Sequence, residues 1–440
     1  MTPFTISLYN LEPIRWQISN SFIAISFSLS AFVSMSEFAQ VPAVGAVGQL
    51  PREHAAARAT ITERCYARIG IMGNPSDGFE GKTLSALIGN FYAECSITGT
   101  GTAEIQLLPH IRWDPTRFSG LQDLHEHTLA NGYYGGVRLL QATCRVFYDY
   151  LSRSGLRDRV LHIGQPAEGT MGFAMSYDTC IPRCVGLSGS SAIIVSAFRC
   201  LLSFHGGLCL QQLGIAKDVF PSIILSIEKA ELGISAGLQD RVVQTYGGLV
   251  HMDFTPRGNS LARAPSQITM EALTDMKPGG RYTPCDPSLL PALYLAYNTQ
   301  VGGDSGAVHN TVKERWERRD PELVRCMQEL GTYADESLQA LLARDYVHFA
   351  ACFAKNFSMR RRLYGDAVVG EKNIAVVMTI ESHGMAAKFT GSGGAILCVR
   401  NDTASAAGTF YAEAQEKLLR TVLQTHGFEF VRILPVPHQN

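Results

Sequence analysis

The hydrophobic pattern after residue 60 changes between two periods, which predicts a chain of mixed helices and strands. Runs of β-branched and aromatic residues typical of strands occur in four segments, CYARIGIMG (65–73), SALIGNFYAECSIT (85–98), GGLVHMDF (247–254) and PALYLAYN (291–298). Helical spacing of apolar residues occurs in three segments, at 135–153, at 190–204 and from Pro321 to Leu363. No repeat of solenoid length is present in the sequence.

Two bodies joined by a linker are expected from the length and from one change of composition. A chain of 440 residues is long for a single hydrophobic core. Residues 256–280 are rich in Pro, Gly, Ser and Thr and follow neither period, which predicts a loop or linker. The sequence therefore predicts an N-terminal body at 61–255 and a second body at 281–436.

The first 60 residues differ in character from the rest of the chain. Residues 21–33, SFIAISFSLSAFV, form an apolar and serine-rich run about as long as the core of a signal peptide. The run starts late, its upstream flank holds one Arg and one Glu, and it is too short to span a bilayer as a helix. Residues 1–60 are therefore expected to be either a targeting segment or a disordered extension.

Charge and cysteine usage narrow the class of protein. A formal net charge of -1 gives no whole-molecule attraction for nucleic acid or for an anionic membrane, so no such partner is expected. Eleven cysteines occur without a CxxC pair, and Cys180 and Cys184 have no cluster of metal ligands nearby, which favours packed thiols over a metal site. This usage is typical of a reducing compartment, and a cytoplasmic location is expected.

A phosphate-binding P-loop is suggested by the triplet Gly81, Lys82 and Thr83. The motif requires a glycine five positions before its Gly-Lys pair, because backbone N–H groups must close around the phosphates there. Ser76 occupies that position. A phosphate site is therefore expected in another segment.

A loop of small residues before an apolar helix is the strongest candidate for that site. The N-terminus of a helix offers unpaired N–H groups and the positive end of the helix dipole, which favour an anion. Capping of a core helix would explain one serine, but not three serines and two glycines in six residues. The predicted phosphate loop consists of Gly186, Leu187, Ser188, Gly189, Ser190, Ser191 and Ala192.

Three motifs in sequence order resemble those of the GHMP kinases, a superfamily named for galactose, homoserine, mevalonate and phosphomevalonate. They are ARIGIMGNPSD (67–77), IPRCVGLSGSSA (181–192) and AAKFTGSGGAIL (386–397). Further stretches resemble one family within it, the glucuronokinases, notably ELGISAGLQDRVVQTYGGLVHMDF, YTPCDPSLLPALYL, DSGAVHNTV and RRRLYGD. The resemblance extends over about residues 65–400.

The resemblance implies both a fold and an activity. The implied fold is α+β with two domains, an N-terminal α/β domain and a ferredoxin-like C-terminal domain. The implied activity is transfer of phosphate from ATP, with Mg²⁺ as cofactor, to the anomeric hydroxyl of D-glucuronate. Two rival hypotheses stay open, a kinase for another uronate such as galacturonate and a sugar-binding sensor without catalysis.

The resemblance also assigns the catalytic and metal-binding roles. Asp240 is expected to be the catalytic base, assisted by Arg68, although capping of a helix is an alternative role for this aspartate. Hard cations favour hydroxyl and carboxylate oxygens, and the implied magnesium ligands are Ser191 and Glu228.

Two alternatives concern the metal ligands. The phosphate loop is one residue longer than the common Gly-Leu-x-Ser-Ser-Ala motif, which keeps Ser190 as an alternative to Ser191. Glu231 is the alternative to Glu228, because the family's spacing to the aspartate falls between the two.

Substrate contacts are expected from the first and third motifs and from several cations. Asn74 and Pro75 stand where galactokinases carry Glu and His, and a neutral amide does not repel a uronate carboxylate as an acid would. An arginine can bind that carboxylate through two N–H groups, and at most one residue of the run 360–362 is expected to reach the sugar. The expected contacts are Asn74, Asp77, Lys82, Arg241, Arg361, Gly391, Ser392, Gly393 and Gly394, with Asp304 and Ser305 as further candidates.

Overall fold

The fold is described from a computed structural model of the chain. The structure describes residues 59–115, 119, 122, 127, 135–161, 172–256, 273–299, 312–401 and 411–438. They belong to one compact unit, Arg52–Asn440. Residues 1–58, 257–272, Asp304 and Ser305, on which several predictions fall, lie outside the described residues. Within the described ranges, none of the helices has both the length and the apolar character needed to cross a bilayer.

A six-stranded sheet lies at the centre of the first half of the chain. Its strands are β1 (Ile61–Met72), β2 (Lys82–Gly99), β3 (Gln106–Leu107), β4 (Phe173–Thr179), β5 (Leu249–Asp253) and β6 (Arg281–Cys285). The order is β3-β4-β2-β5-β6, and β1 pairs antiparallel with β2. The 18-residue strand β2 holds this sheet together, because one end pairs with β4 and the other with β5.

Helices pack on this sheet and carry its apolar core. They are α1 (Val137–Arg153), α2 (Arg157–Leu161), α3 (Gly189–Phe204), α4 (Phe220–Ser226) and α5 (Gln239–Tyr246). Helix α3 follows the predicted phosphate loop and packs against β1 and β2, so most of its side chains are buried. A π-helical turn, Ile227–Glu231, continues α4.

A second sheet of four antiparallel strands contains the third motif. Its strands are β7 (Leu293–Asn298), β8 (Met385–Phe389), β9 (Ala395–Arg400) and β10 (Phe428–Arg432), in the order β10-β7-β9-β8. Between β7 and β8 lie α6 (Pro321–Leu342), α7 (Tyr346–Tyr364), α8 (Asp366–Val369) and α9 (Glu371–Ser382). Helix α10 (Glu413–Thr425) lies between β9 and β10.

The structure confirms the predicted mixture of helices and strands, and therefore the α+β class. All four predicted strand segments contain a strand, and the helices predicted at 135–153 and 190–204 are present. The long helical segment from Pro321 to Leu363 is two helices, because Arg344 takes a left-handed φ of 55° and the Asp345 side chain then caps α7. All eleven cysteines are free thiols, with Cys180 and Cys184 exposed.

Two connections cross the domain limits expected from the sequence. Strand β6, inside the predicted second body, pairs with β5 of the first sheet. The segment after β10 returns to β2, where Gly89 N–H donates to Leu434 O at 2.6 Å and Val436 N–H donates to Leu87 O at 3.1 Å. The domain limits at 255 and 281 stay a prediction.

The core of the second sheet can be tested with one aromatic side chain. Phe430 is fully buried and stacks on Tyr294 with ring centroids 4.9 Å apart. Phe430→Ala is expected to lower the free energy of unfolding by about 3 to 5 kcal/mol, because it leaves a cavity in the core. Urea denaturation followed by circular dichroism measures this change.

The control for that measurement is Leu418→Ala on α10. The Leu418 side chain is exposed. Its removal is expected to change the free energy of unfolding by no more than about 0.5 kcal/mol. Equal effects of the two substitutions would contradict the described core.

Candidate active site

The three motifs, far apart in sequence, meet at one place in the fold. Arg68 N–H on β1 donates to Leu187 O at 3.3 Å, and Gly70 N–H donates to Thr390 O at 3.2 Å. Gly186 has a φ of 75°, and a Cβ atom there would lie 2.9 Å from Ser392 N. The phosphate loop and the glycine-rich turn of the third motif therefore touch through their backbones, which only glycine permits at this position.

Arg68 and Asp240 form a largely buried ion pair at this meeting point. The Arg68 guanidinium donates from Nε to Asp240 Oδ1 at 2.7 Å and makes a second, shorter bond to the same oxygen from Nη2. Its Nη1 donates to Gly186 O at 3.1 Å and to Thr390 O at 3.0 Å. One arginine therefore joins the second and third motifs to the aspartate in the first turn of α5.

A second ion pair continues from the other side of Asp240. Arg241, which is 3 % exposed, donates from Nε to Glu228 Oε2 at 2.8 Å and lies 3.4 Å from Asp240 Oδ2. Glu228 is fully buried on the π-helical turn, and its Oε1 accepts a hydrogen bond from Ser190 Oγ at 2.7 Å. Charges of alternating sign thus run from Arg68 to Glu228, and the last carboxylate reaches the phosphate loop.

The alternative metal ligands proposed from the sequence lie in different surroundings. Ser190 contacts Glu228, whereas Ser191 is fully buried and donates to Ser188 O at 3.2 Å. Glu231 instead pairs with Arg145 on α1. Ser190 therefore faces Glu228 whereas Ser191 turns into the first turn of α3, and the choice between the two serines as a metal ligand stays a prediction.

Two carboxylates close to each other are held in different electrostatic environments. Burial opposes ionisation of Asp240, but the cations of Arg68 and Arg241 outweigh burial and hold the pKa of its carboxyl below the usual range. Asp77 is half-buried, and burial together with the charge of Asp240 raises the pKa of its carboxyl to about 6. Asp77 is fixed to α5 by the Gln239 N–H, at 3.3 Å. Asp240 is therefore ionised at neutral pH, and Asp77 titrates just below it.

Asn74 contacts Lys388 of the third motif, and a second buried basic residue, Arg360, contacts the glycine-rich turn of the same motif. Lys388 on β8 donates to Asn74 Oδ1 at 3.1 Å, and Asn74 Nδ2 lies 3.5 Å from Gly391 O. Arg360 on α7 is 3 % exposed and donates from Nη2 to Ser392 O at 2.7 Å. The predicted contacts Asn74, Gly391 and Ser392 are thus brought together with these two cations.

Three of the predicted substrate contacts have other partners. Lys82 begins β2 and donates from Nζ to Asp335 Oδ2 at 2.5 Å, while His251 shares the same carboxylate. Arg361 donates from Nε to Asp366 Oδ1 at 2.7 Å on the surface. Arg241 is held by Glu228. The structure does not bring Arg361 together with the other predicted contacts, whereas its neighbour Arg360 points inward, because successive residues on a helix face different directions.

The sequence interpretation missed Lys388, although it lies inside the third motif. Its signal is a lysine between Ala387 and Phe389 in a strand whose five residues are all buried. A charged residue at such a position is costly unless its protons are bound, and this one donates three hydrogen bonds.

Comparison with known proteins gives the family of the chain. Residues 145–248 match the family model of the GHMP kinases N terminal domain. The chain is 44% identical over 341 residues to "Glucuronokinase 1" of Arabidopsis thaliana, covering 78% of this chain and 85% of the relative. It is 40% identical over 375 residues to "Probable glucuronokinase 2" of the same plant, covering 84% and 91% respectively.

Solved structures share the fold at low sequence identity. A phosphomevalonate kinase of Streptococcus pneumoniae in complex with phosphomevalonate and AMPPNP superposes with a TM-score of 0.58 at 14% identity, covering 85% of this chain and 100% of that one. A Lactococcus lactis galactokinase complexed with galactose gives a TM-score of 0.56 at 13% identity, covering 87% and 95%. These likenesses support the GHMP kinase fold.

The raised pKa of Asp77 predicts a specific pH dependence of stability. An unfolded aspartate has a pKa of about 3.9, so between that pH and about 6 the folded chain binds more protons than the unfolded chain. The stability contributed by Asp77 is therefore present in full below about pH 4 and is lost as the pH rises through about 6.

The measurement compares the melting temperature of the protein with that of its Asp77→Asn variant across this pH range. The variant cannot titrate at residue 77, so its stability relative to the unmodified protein is expected to rise from about pH 4 to about pH 7. A difference in melting temperature that stays constant over this range would contradict the assignment.

Proposed function

The chain belongs to the glucuronokinase family of the GHMP kinases, and from that premise we propose that it phosphorylates D-glucuronate. The reaction transfers the γ-phosphoryl group of ATP to the anomeric hydroxyl, giving D-glucuronate 1-phosphate and ADP. The observation that carries the proposal is the ion pair of Arg68 with Asp240, placed where the three motifs meet.

Asp240 acts as the base that orients the anomeric hydroxyl. Arg68 donates two N–H groups to Oδ1, and Oδ2, which lies 3.4 Å from Arg241 Nη1, keeps a lone pair that can accept a hydrogen bond from the sugar. The anomeric oxygen attacks the γ-phosphorus, the bond from this phosphorus to the oxygen of ADP breaks, and the proton passes to Asp240. Because the pKa of Asp240 is low, its carboxylate accepts the proton late in the reaction. By then electron density has moved from the hydroxyl oxygen to the phosphoryl group, which makes the hydroxyl proton more acidic.

The loop from Gly186 to Ala192 holds the phosphates of ATP. Gly186 and Ser188 both take left-handed φ values, of 75° and 68°, and left-handed residues within a turn direct backbone N–H groups into a concave surface that suits an anion. The loop runs directly into α3, whose N-terminus adds the positive end of a dipole.

Ser190 and Glu228 fit the magnesium ion that this family implies. They offer a hydroxyl and a carboxylate oxygen 2.7 Å apart beside the phosphate loop, which is the donor chemistry that Mg²⁺ prefers. The ion, when bound with ATP, neutralises charge on the phosphates. Arg241 holds the Glu228 carboxylate in place from its opposite oxygen.

The second half of the chain has the ferredoxin-like arrangement. In sequence order it consists of a strand, a group of helices, two strands, a helix and a strand. The strand order β10-β7-β9-β8 supports this topology. Its role is to present the turn 390–394 to the phosphate loop.

The proposed activity is tested by ADP release measured with a coupled assay. Turnover is expected with D-glucuronate and to be lower with D-galacturonate, D-galactose and mevalonate. Faster turnover of D-galacturonate than of D-glucuronate would show that the substrate is another uronate. Absence of turnover with either uronate would refute the substrate class. ATP-dependent turnover of any kind excludes a binding sensor without catalysis.

Asp240→Asn tests the proposed base in the same assay. Turnover is expected to fall by about 10²- to 10⁴-fold, because the amide cannot accept the proton. ATP affinity, measured by calorimetry, is expected to stay nearly unchanged. Asp366→Asn, which alters an exposed aspartate paired with Arg361, is the control. Near-normal turnover in Asp240→Asn would contradict the assignment.

The serine register is tested by two neighbouring substitutions. Ser190→Ala is expected to raise the Mg²⁺ concentration for half-maximal turnover at least about tenfold, because a ligand oxygen is lost. Ser191→Ala is expected to leave that concentration unchanged, since this hydroxyl bonds to Ser188 O. The opposite pattern would restore Ser191 as the metal ligand.

A further inference from the structure

A buried cation without a carboxylate partner lies beside the proposed sugar site. Arg360 has only 3 % of its surface exposed, and its guanidinium lies 5.0 Å from the ring centroid of Phe389 and 5.2 Å from that of Tyr364. Among the side chains that the structure describes, none forms an ion pair with it, and its hydrogen bond is to the carbonyl of Ser392. The rings and one carbonyl do not neutralise its charge.

A second buried basic residue, Lys388, lies close enough to Arg360 to be affected by its charge. Lys388 is fully buried, and its three N–H groups donate to Gly70 O, Asn74 Oδ1 and Phe389 O at 2.9, 3.1 and 2.6 Å. All three acceptors are neutral. Burial and the charge of Arg360 hold the pKa of Lys388 well below its usual value. Lys388 and its acceptors therefore supply no negative charge that could balance the charge of Arg360.

Three other arginines in or near the site are matched by carboxylates. Arg68 pairs with Asp240, and Arg241 pairs with Glu228. On the same helix as Arg360, the exposed Arg361 pairs with Asp366. A buried cation is costly unless it is paired, so the unmatched charge of Arg360 indicates that an anion binds there.

The polar groups around Arg360 are also suited to an anion. Lysine can only donate, so the bond from Lys388 fixes Asn74 with its oxygen towards the lysine and its NH₂ group towards the turn at Gly391. The buried hydroxyl of Tyr364 has no hydrogen-bond partner within the described part of the chain. Both groups can donate to a carboxylate.

Two neighbouring carbonyls of the third motif accept hydrogen bonds from Arg360 and from the arginine that holds Asp240. Arg68, which holds Asp240, donates to Thr390 O, and Arg360 donates to Ser392 O two residues further on. In a pyranose uronate the anomeric carbon and the carbon bearing the carboxylate are both bonded to the ring oxygen. One edge of the sugar therefore presents both groups, and one turn of the protein contacts both Arg360 and the arginine that holds Asp240.

We infer that Arg360 binds the carboxylate of the sugar substrate and sets the preference for a uronate over a neutral hexose. Lys388 is a positioning residue, which directs the Asn74 NH₂ group to the same carboxylate. The inference rests on the proposed function for the identity of the substrate. It assigns specificity to an arginine of α7, outside the three motifs.

The test compares D-glucuronate with D-glucose, which differs only in carrying CH₂OH in place of the carboxylate. In Arg360→Gln, kcat/KM for D-glucuronate is expected to fall about 100-fold, the loss typical of a buried charged contact. The value for D-glucose and the KM for ATP are expected to change less than about twofold. Arg361→Gln is the matched control and is expected to leave all three unchanged.

Two further variants separate charge from folding. Arg360→Lys keeps the charge but loses the two-point fork, and is expected to retain more activity than Arg360→Gln, with about a tenfold loss. Lys388→Met is expected to raise the KM for D-glucuronate while leaving turnover of D-glucose unchanged, which a merely structural defect would not do. Melting temperatures of all variants identify any that fail to fold.

Calorimetric binding of D-glucuronate distinguishes this inference from the proposed function. If the unmodified protein binds the uronate but does not phosphorylate it, the proposed function fails, and loss of binding in Arg360→Gln still supports the carboxylate contact. If the unmodified protein phosphorylates the uronate and Arg360→Gln keeps kcat/KM within about twofold, the inference is overturned. Equal losses for D-glucuronate and D-glucose overturn it as well.

Discussion

The site depends on a row of buried charges that runs from Arg68 through Asp240 and Arg241 to Glu228. Removing such groups from water is costly, and breaking one pair leaves an uncompensated charge behind. The ion pairs of the row offset this cost, and they connect β1, α5 and the π-helical turn to one another. The row also fixes the distance between the Asp240 carboxylate and the Glu228 carboxylate, which accepts a hydrogen bond from Ser190.

The same row separates the two aspartates of the site. Asp240 lies between two arginines and stays ionised, whereas Asp77 faces the charge of Asp240 in a poorly solvated position. Environments that separate the pKa values of two neighbouring acids commonly give the two acids different roles in a site. Asp240 is suited to accept a proton, and Asp77 to make a hydrogen bond in which either partner can hold the proton.

Much of this arrangement could be predicted from the sequence, because local patterns specify it. The periodicities predicted the strands and helices. The motifs singled out Asp240, Arg68 and Glu228, which the structure brings into one row of charges. Which serine turns towards Glu228 could not be predicted, because Ser188 in the longer loop takes a left-handed conformation that serine seldom adopts. Whether Arg360 points inward depends on how the last residues of α7 are rotated about the helix axis. The partner of Lys82, Asp335, lies 253 residues away in the sequence. Such facts follow from packing between distant segments.

The backbone contact between Gly186 and the turn at Gly391 has an evolutionary consequence. A Cβ atom on Gly186 would approach the Ser392 nitrogen, and one on Gly391 would lie 2.4 Å from Gly186 O. Neither position can gain a side chain while the other segment stays where it is. In an alignment of related chains, the two glycines should therefore be retained together or lost together, so that the second and third motifs are inherited as one matched pair.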